Sequence, residues 1–208
     1  MKKLTELLSD TLVYGISSVA ARFVTYLLVP FYTDVFLPEE YGIIGLIYSA
    51  IAVLNVLFTF GMESAYLRYA AERSRAKSVF TTIQLTLLGV ATLLAVLLWL
   101  GSPLIMPYMG LGPDTADLFY YMLGILWFDT MAIVPFAELR LVRRSYLFAG
   151  VRLSNVLINL GLNFYLILGL NFGLEAVMIS QLAASGATAL FLWIYLPKMW
   201  RGSFNTNL

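Results

Sequence analysis

Six apolar runs, each close to the length that crosses a lipid bilayer, constrain this chain more than any other feature. A membrane-spanning helix needs about 20 mostly apolar residues. The runs cover Thr11–Thr33, Tyr41–Met62, Val79–Leu100, Leu118–Ala137, Leu153–Leu170 and Leu174–Leu196. They predict an all-α integral membrane protein, because a helix satisfies its own backbone hydrogen bonds in lipid. We expect a six-helix bundle over residues 1–200 and a cytoplasmic tail, or the start of a linker, at 201–208.

The composition excludes a soluble globular domain of this size. Of the 208 residues, 61% are hydrophobic and 12% are charged, whereas soluble domains have about half apolar and a quarter charged residues. Cysteine and histidine are both absent, which removes thiolate ligands, disulfides and the most common general base. We therefore predict no enzymatic activity, no catalytic residue, no metal site and no cofactor.

Lysine and arginine fall in alternate loops, which predicts the orientation of the chain. Of its 13 basic residues, all except Arg22 lie before run one, between runs two and three, between runs four and five, or after run six. They are Lys2, Lys3, Arg68, Arg73, Arg75, Lys77, Arg140, Arg143, Arg144, Arg152, Lys198 and Arg201. Cytoplasmic loops are enriched in lysine and arginine, so both termini are predicted to be cytoplasmic.

Arg22 is the exception, because it falls in the middle of run one. A guanidinium at that depth costs about 2.5–3.5 kcal/mol of insertion free energy, so its side chain is expected to face protein or water. Ser18 and Thr25 share its helical stripe. A planar, always protonated guanidinium in a wet cavity is suited to bind phosphate. These three residues predict an anionic headgroup on the substrate.

Three further runs carry polar residues at helical spacing. They are Tyr48, Asn55, Thr59 and Glu63 in run two, Asn155, Asn159 and Asn163 in run five, and Gln181, Ser185 and Thr188 in run six. Together with run one they predict hydrophilic faces that line a shared wet cavity, with Asn55, Asn155 and Asn159 contacting the substrate. The alternative is that asparagine and glutamine hold neighbouring helices together. The small residues of run six, Ser180, Ala183, Ala184 and Ala187, predict a close-packing face.

Two acids occur within the runs or at their ends. Asp129 lies near the middle of run four. Because opposite charges in a membrane usually pair, we predict an ion pair between Asp129 and Arg22, with a proton- or cation-responsive site as the alternative. Glu63, near the cytoplasmic end of run two, is expected to be solvated or paired with Arg68.

Two segments and one arginine resemble a known family. Phe36–Gly42 is similar to the first outer loop, and Gly61–Arg68 to the end of the second helix, of O-antigen and teichoic-acid flippases in the multidrug/oligosaccharidyl-lipid/polysaccharide superfamily. Arg152, followed by Asn155 and Asn159, is the third similarity. The resemblance implies one lobe of a two-lobed fold whose central cavity alternates its access. It also implies that cavity cations contact the pyrophosphate of a lipid-linked oligosaccharide, a role that falls to Arg22 and less directly to Arg152.

The same resemblance implies the partners and the location. It suggests a multi-pass protein of a bacterial or archaeal cytoplasmic membrane, surrounded by membrane lipid, that moves an undecaprenyl-pyrophosphate-type glycan and binds no nucleic acid. Because alternating access needs two halves around a shared site, we expect an amino-terminal lobe that works with a carboxy-terminal lobe or a second copy. Two alternatives stay open: a cation-coupled drug or metabolite antiporter of the same superfamily, with a titratable acid facing the cavity, and a non-transporting membrane scaffold.

Overall fold

The computed structural model describes residues 15, 16, 19, 20, 23, 26 and 28–196. Within these residues the chain is a bundle of helices without a β-strand. The helices are α1 (28–35), α2 (Pro38–Thr59), α3 (Met62–Tyr69), α4 (Ala76–Tyr108), α5 (Ala116–Leu141), α6 (Ser145–Phe164) and α7 (Leu174–Tyr195). A 3-10 turn, Pro113–Thr115, precedes α5, and a π-helical turn, Tyr165–Gly169, follows α6.

Five helical segments of the described chain are long and apolar enough to cross a membrane, and they coincide with predicted runs two to six. The predicted all-α membrane bundle is therefore confirmed. Run one lies largely outside the described residues, which include its carboxy-terminal end as α1. The predicted bounds of runs five and six leave only residues 171–173 between them, and the structure agrees, since only residues 170–173 separate the π-helical turn from α7.

The helices around the predicted loop between runs four and five are longer than the runs. α5 ends at Leu141 and α6 begins at Ser145, about two turns before the predicted start of run five. Arg140 and Arg152, which were expected in this loop, therefore lie within helices. Long arginine side chains are tolerated there because each finds a partner, as described below.

A break between α2 and α3 turns the end of the second span toward the centre of the bundle. Phe60 (φ 46°) and Gly61 (φ 65°) both adopt the left-handed conformation, which glycine tolerates and other residues rarely adopt. The helix resumes at Met62 and runs to Tyr69. The break directs the α3 side chains Glu63 and Tyr66 toward α5, where both are bonded.

α5 is the central helix of the described bundle. In the most apolar stretch of this span, 72% of the residues are buried. The corresponding share is 50% in α7 and 22% or less in the other candidate spans. It packs tightly against α7 at Gly124, where an added Cβ would lie 2.8 Å from Leu182 Cδ1. Four small residues of α7 were predicted to form a close-packing face. Ser180 and Ala184 are buried, but Ala183 and Ala187 are exposed, so the prediction is correct for only two of the four. Its buried side continues through Ser185 and Gly186 instead.

A proline inside α5 explains why a glutamine is fully buried in α4. Pro135 has no backbone N–H, so it cannot bond the carbonyl of Met131 one turn earlier. The Gln84 amide donates to that carbonyl at 3.0 Å, and the Trp193 indole donates to it at 3.4 Å. Neighbouring helices thus satisfy the carbonyl that the proline leaves free, as a membrane interior requires.

Replacing Gln84 with leucine is expected to lower the free energy of unfolding by about 0.5–1.5 kcal/mol. In a Pro135→Ala background the same change should cost much less, because the introduced alanine would supply the missing helical N–H. Thermal or SDS-induced unfolding in detergent is measured for the original chain, for each single variant and for the double variant. Together the four values give the coupling energy between Gln84 and Pro135. Pro103→Ala in α4 is the matched control, and an equal coupling energy with Pro103 would contradict this explanation.

Candidate functional site

The polar residues predicted on the first span, Ser18, Arg22 and Thr25, lie outside the described residues. The predicted ion pair between Arg22 and Asp129 therefore also lies outside them and stays a prediction. The other predicted site residues are described: Asn55, Glu63, Asp129, Arg152, Asn155 and Asn159. Asn55 is half-buried on α2.

The asparagines of α6 bond to α7 at successive helical turns. Asn155 donates to the Thr188 hydroxyl at 2.9 Å, and Asn159 donates to the Gln181 amide oxygen at 2.8 Å. The predicted stripes of runs five and six therefore face each other across one interface. Pairs of this kind hold membrane helices together, which supports the helix-packing alternative for Asn155 and Asn159.

The α6 stripe also reaches the first span. Asn163, which is fully buried, accepts a hydrogen bond from the Tyr32 hydroxyl at 2.8 Å and donates to the Asn159 side-chain oxygen at 3.2 Å. On the other side, Gln181 donates to the Ser185 hydroxyl at 3.3 Å. Sequence reasoning missed Tyr32, because a tyrosine at a helix end is common at membrane interfaces.

Asp129 lies half-buried on α5, next to this set of side chains. Ser185 of α7 and Arg152 of α6 both lie close enough to interact with its carboxylate. Tyr48 of α2 lies close enough to interact with its charge. Two of the predicted polar stripes, those of runs two and six, thus have a member close to Asp129.

Arg152 lies on α6 with its guanidinium over two aromatic rings. The guanidinium carbon is 4.8 Å from the Phe136 ring centre and 5.9 Å from that of Phe148. The two rings pack edge to face, with centres 5.2 Å apart. Cation–π contact positions an arginine through the face of its guanidinium, so these two rings do not themselves engage its N–H groups.

Glu63 forms an ion pair with Arg140 of α5 at 2.5 Å, rather than with Arg68 as one of the two expectations had it. Arg68 is exposed and lies 6.0 Å from the ring centre of its neighbour Tyr69. The guanidinium carbon of Arg140 also lies 5.4 Å from the Phe148 ring centre. The helix α3 is thus connected, through Glu63 and Arg140, to the rings of Phe148 and Phe136 that contact Arg152.

A buried acid that the sequence did not single out, Glu138, connects the same helices. Its side chain accepts two hydrogen bonds from Arg73, at 2.7 and 3.0 Å, and one from the Tyr66 hydroxyl at 2.6 Å. Glu138 is 2% exposed. Its hydrogen bonds to Arg73 are the main cause that raises the pKa of Arg73 above its ordinary value. This pair fixes the loop between α3 and α4 to the end of α5.

A pocket of about 460 Å³ lies at the opposite, predicted outer end of the bundle. Its lining combines three acids with polar loop residues and two leucines: Glu40, Asp114, Glu175, Thr115, Asn171, Phe172, Gly173, Leu118 and Leu174. Within the described part of the chain, the acids form no group able to hold a metal ion. The negative lining makes this pocket unsuited to the anionic headgroup that the sequence predicts.

The comparisons with known proteins agree with this architecture. The family model described as polysaccharide biosynthesis protein matches residues 7–208, which is nearly the whole chain. No curated protein and no solved structure matches it. The family includes flippases, and together with the membrane-spanning helices it indicates a transporter-type role in polysaccharide export. This multi-pass membrane protein belongs to the polysaccharide biosynthesis protein family.

Proposed function

We propose that this chain is one lobe of a flippase that moves a lipid-linked oligosaccharide across the cytoplasmic membrane by alternating access. The observation that carries the proposal is the family match over residues 7–208. The substrate class follows from charge. Arg22 within the first span and Arg152 within α6 are the cations on the transmembrane helices that suit a pyrophosphate. The second lobe is a carboxy-terminal one or a second copy of this chain.

The aromatic contacts of Arg152 support this assignment. A guanidinium that rests on the rings of Phe136 and Phe148 loses less side-chain freedom when it binds a ligand. Arg152 lies about two turns inside α6 from Ser145. With a cytoplasmic α5–α6 turn, as the arginine distribution predicts, it would meet a phosphate group that enters from the cytoplasmic leaflet.

One observation favours the scaffold alternative. The polar residues of α6 and α7 are matched to each other, Asn155 with Thr188 and Asn159 with Gln181, as a packing role requires. The antiporter alternative gains less support, since the carboxylate of Asp129 is not isolated: Ser185 and Arg152 lie close enough to interact with it. A ligand-binding measurement separates the three candidate functions.

The test uses the full chain in lipid nanodiscs and a fluorescent polyprenyl-pyrophosphate-linked sugar. We expect saturable binding that excess unlabelled pyrophosphate lipid displaces and that anionic phospholipid or a cationic drug does not displace. Binding of the cationic drug in place of the pyrophosphate lipid would overturn the proposal in favour of an antiporter. Binding of neither ligand would overturn it in favour of a scaffold.

A further inference from the structure

The ring of Phe148 on α6 is contacted by guanidiniums from two different helices. The guanidinium carbon of Arg140, in the last turn of α5, lies 5.4 Å from the ring centre, and that of Arg152, on α6, lies 5.9 Å from it. The two guanidinium carbons are therefore no farther apart than the sum of these distances. Two positive charges attract an anion that lies near both of them more strongly than either does alone.

In this structure the anion at Arg140 is Glu63 of α3, which satisfies the guanidinium incompletely. Oε1 of Glu63 lies 2.5 Å from Nη2 of Arg140. Among the described residues, the buried Nε of Arg140 has no hydrogen-bond partner, and an unsatisfied buried donor costs free energy. A phosphate presents several oxygens and can accept from Nη2 and Nε together, because its geometry matches the planar fork of arginine.

The pair of Glu63 with Arg140 is accessible to a ligand, whereas the other ion pair between this region and α5 is not. The side chains of Glu63 and Arg140 are each 36% exposed. Glu138, in contrast, is 2% exposed and accepts hydrogen bonds from both Arg73 and Tyr66. A partly exposed pair contributes little net stability, so Glu63 can be exchanged at small cost while Glu138 keeps α3 attached to α5.

The number of guanidiniums at the Phe148 ring indicates the class of ligand. A carboxylate or a single phosphate group can engage one guanidinium at a time in the side-on geometry. A diphosphate has two phosphorus centres and can engage Arg140 with one and Arg152 with the other. Both arginines lie near the turn between α5 and α6, which the arginine distribution predicts to be cytoplasmic.

We propose that Arg140 and Arg152 form a two-arginine diphosphate site, and that Glu63 occupies the Arg140 half of this site until a phosphate of the substrate displaces it. No covalent bond changes in this exchange, since one anion replaces another at the same guanidinium. Glu63 is thus an internal competitor. A diphosphate displaces it better than a monophosphate does, because the diphosphate also binds Arg152. The identity of the ligand rests on the proposed function.

The experiment measures how variants of the full chain in nanodiscs bind the fluorescent polyprenyl-pyrophosphate-linked sugar. Arg140→Gln should weaken binding about tenfold, because it removes hydrogen bonds to a charged group. Glu63→Gln should strengthen binding about twofold to fivefold, the range that corresponds to a partly exposed ion pair. The double variant should bind as weakly as Arg140→Gln, because Glu63 competes only through Arg140. A purely structural role of the pair would instead make Glu63→Gln weaken binding.

Unlabelled polyprenyl monophosphate tests the requirement for two phosphates. It should displace the probe from the original chain about tenfold less well than unlabelled polyprenyl diphosphate does, and this difference should largely disappear in Arg140→Gln. Arg140→Lys keeps the charge beside Glu63 but lacks the planar fork, so its affinity should fall between those of the original chain and Arg140→Gln. If Arg140→Gln does not fold, Arg140→Lys gives the result.

Two matched controls change the same charges elsewhere at the predicted cytoplasmic end. Arg68→Gln removes an exposed arginine, and Glu72→Gln removes an acid whose side chain is 64% exposed. Both should keep the original affinity. Unchanged binding in Arg140→Gln, weaker binding in Glu63→Gln, or an equal gain in Glu72→Gln would overturn the inference, while binding by the original chain keeps the proposed function. If the original chain does not bind the probe, the proposed function and the inference are both overturned.

Discussion

Replacing Arg73 with alanine is expected to lower the free energy of unfolding by about 3 kcal/mol, the low end for breaking a buried ion pair. The change removes both arginine hydrogen bonds from Glu138, which is 2% exposed, and leaves its charge with only the Tyr66 hydroxyl. The low end is appropriate because the Arg73 side chain is 47% exposed, so water can enter the space it leaves. Thermal or SDS-induced unfolding of the purified chain in detergent measures the loss.

A rescue variant separates the loss of a bond from the creation of an unpaired charge. Combining Arg73→Ala with Glu138→Leu and Tyr66→Phe removes every partner at once, and such replacements of buried pairs by apolar groups are often neutral. We expect this triple variant to recover most of the stability that Arg73→Ala loses. Glu72→Ala is the matched control, since it breaks the exposed, 3.8 Å pair with Arg75 and should cost less than about 0.5 kcal/mol. Equal losses for Arg73→Ala and Glu72→Ala would show that the buried pair contributes nothing.

The spans were predictable because a bilayer makes a simple demand on sequence. A helix that crosses lipid must be apolar over about 20 residues, and this demand can be read without any knowledge of neighbours. The exact helix ends were not predictable from it, because arginine in the runs' flanks is typical of a loop. Arg140 and Arg152 lie within helices because Glu63 and the Phe136 ring compensate them, and those partners come from other spans.

The buried pair between Arg73 and Glu138 shows where sequence reasoning ends. Both residues fall among charges near the predicted cytoplasmic ends of the runs, a position typical of solvated side chains. Their contact joins residues 65 positions apart and depends on the turn at Phe60 and Gly61 that orients α3. The asparagine stripe of α6 was visible from its spacing, but its partners on α7 depend on the register that the short connection at 170–173 imposes.

The largest functional effect is expected at Arg22. Arg22→Ala and Arg22→Gln should abolish transport, and Arg152→Gln should reduce it at least tenfold. A hydrogen bond to a charged group contributes about 1.5–3 kcal/mol, so a guanidinium that makes two of them to a phosphate accounts for about 100-fold or more in binding. Arg22→Lys should recover only part of the activity, because lysine keeps the charge but lacks the planar fork that matches two phosphate oxygens. Cells that express each variant from the native locus report export as surface polysaccharide.

Membrane insertion and expression must stay normal in these variants for the effect to be one of substrate binding. Replacing Arg22 by glutamine makes insertion of the first span easier, since it removes the costly charge, so a loss of transport cannot come from failed insertion. Arg75→Gln is the matched control: it removes a side chain that is 72% exposed and paired only loosely with Glu72, and export should be unchanged. If export persists at full rate in both Arg22→Ala and Arg22→Gln, the guanidinium of the first span does not bind the substrate. A loss in Arg75→Gln of the same size would instead point to the total positive charge of the predicted cytoplasmic face, which sets orientation rather than recognition.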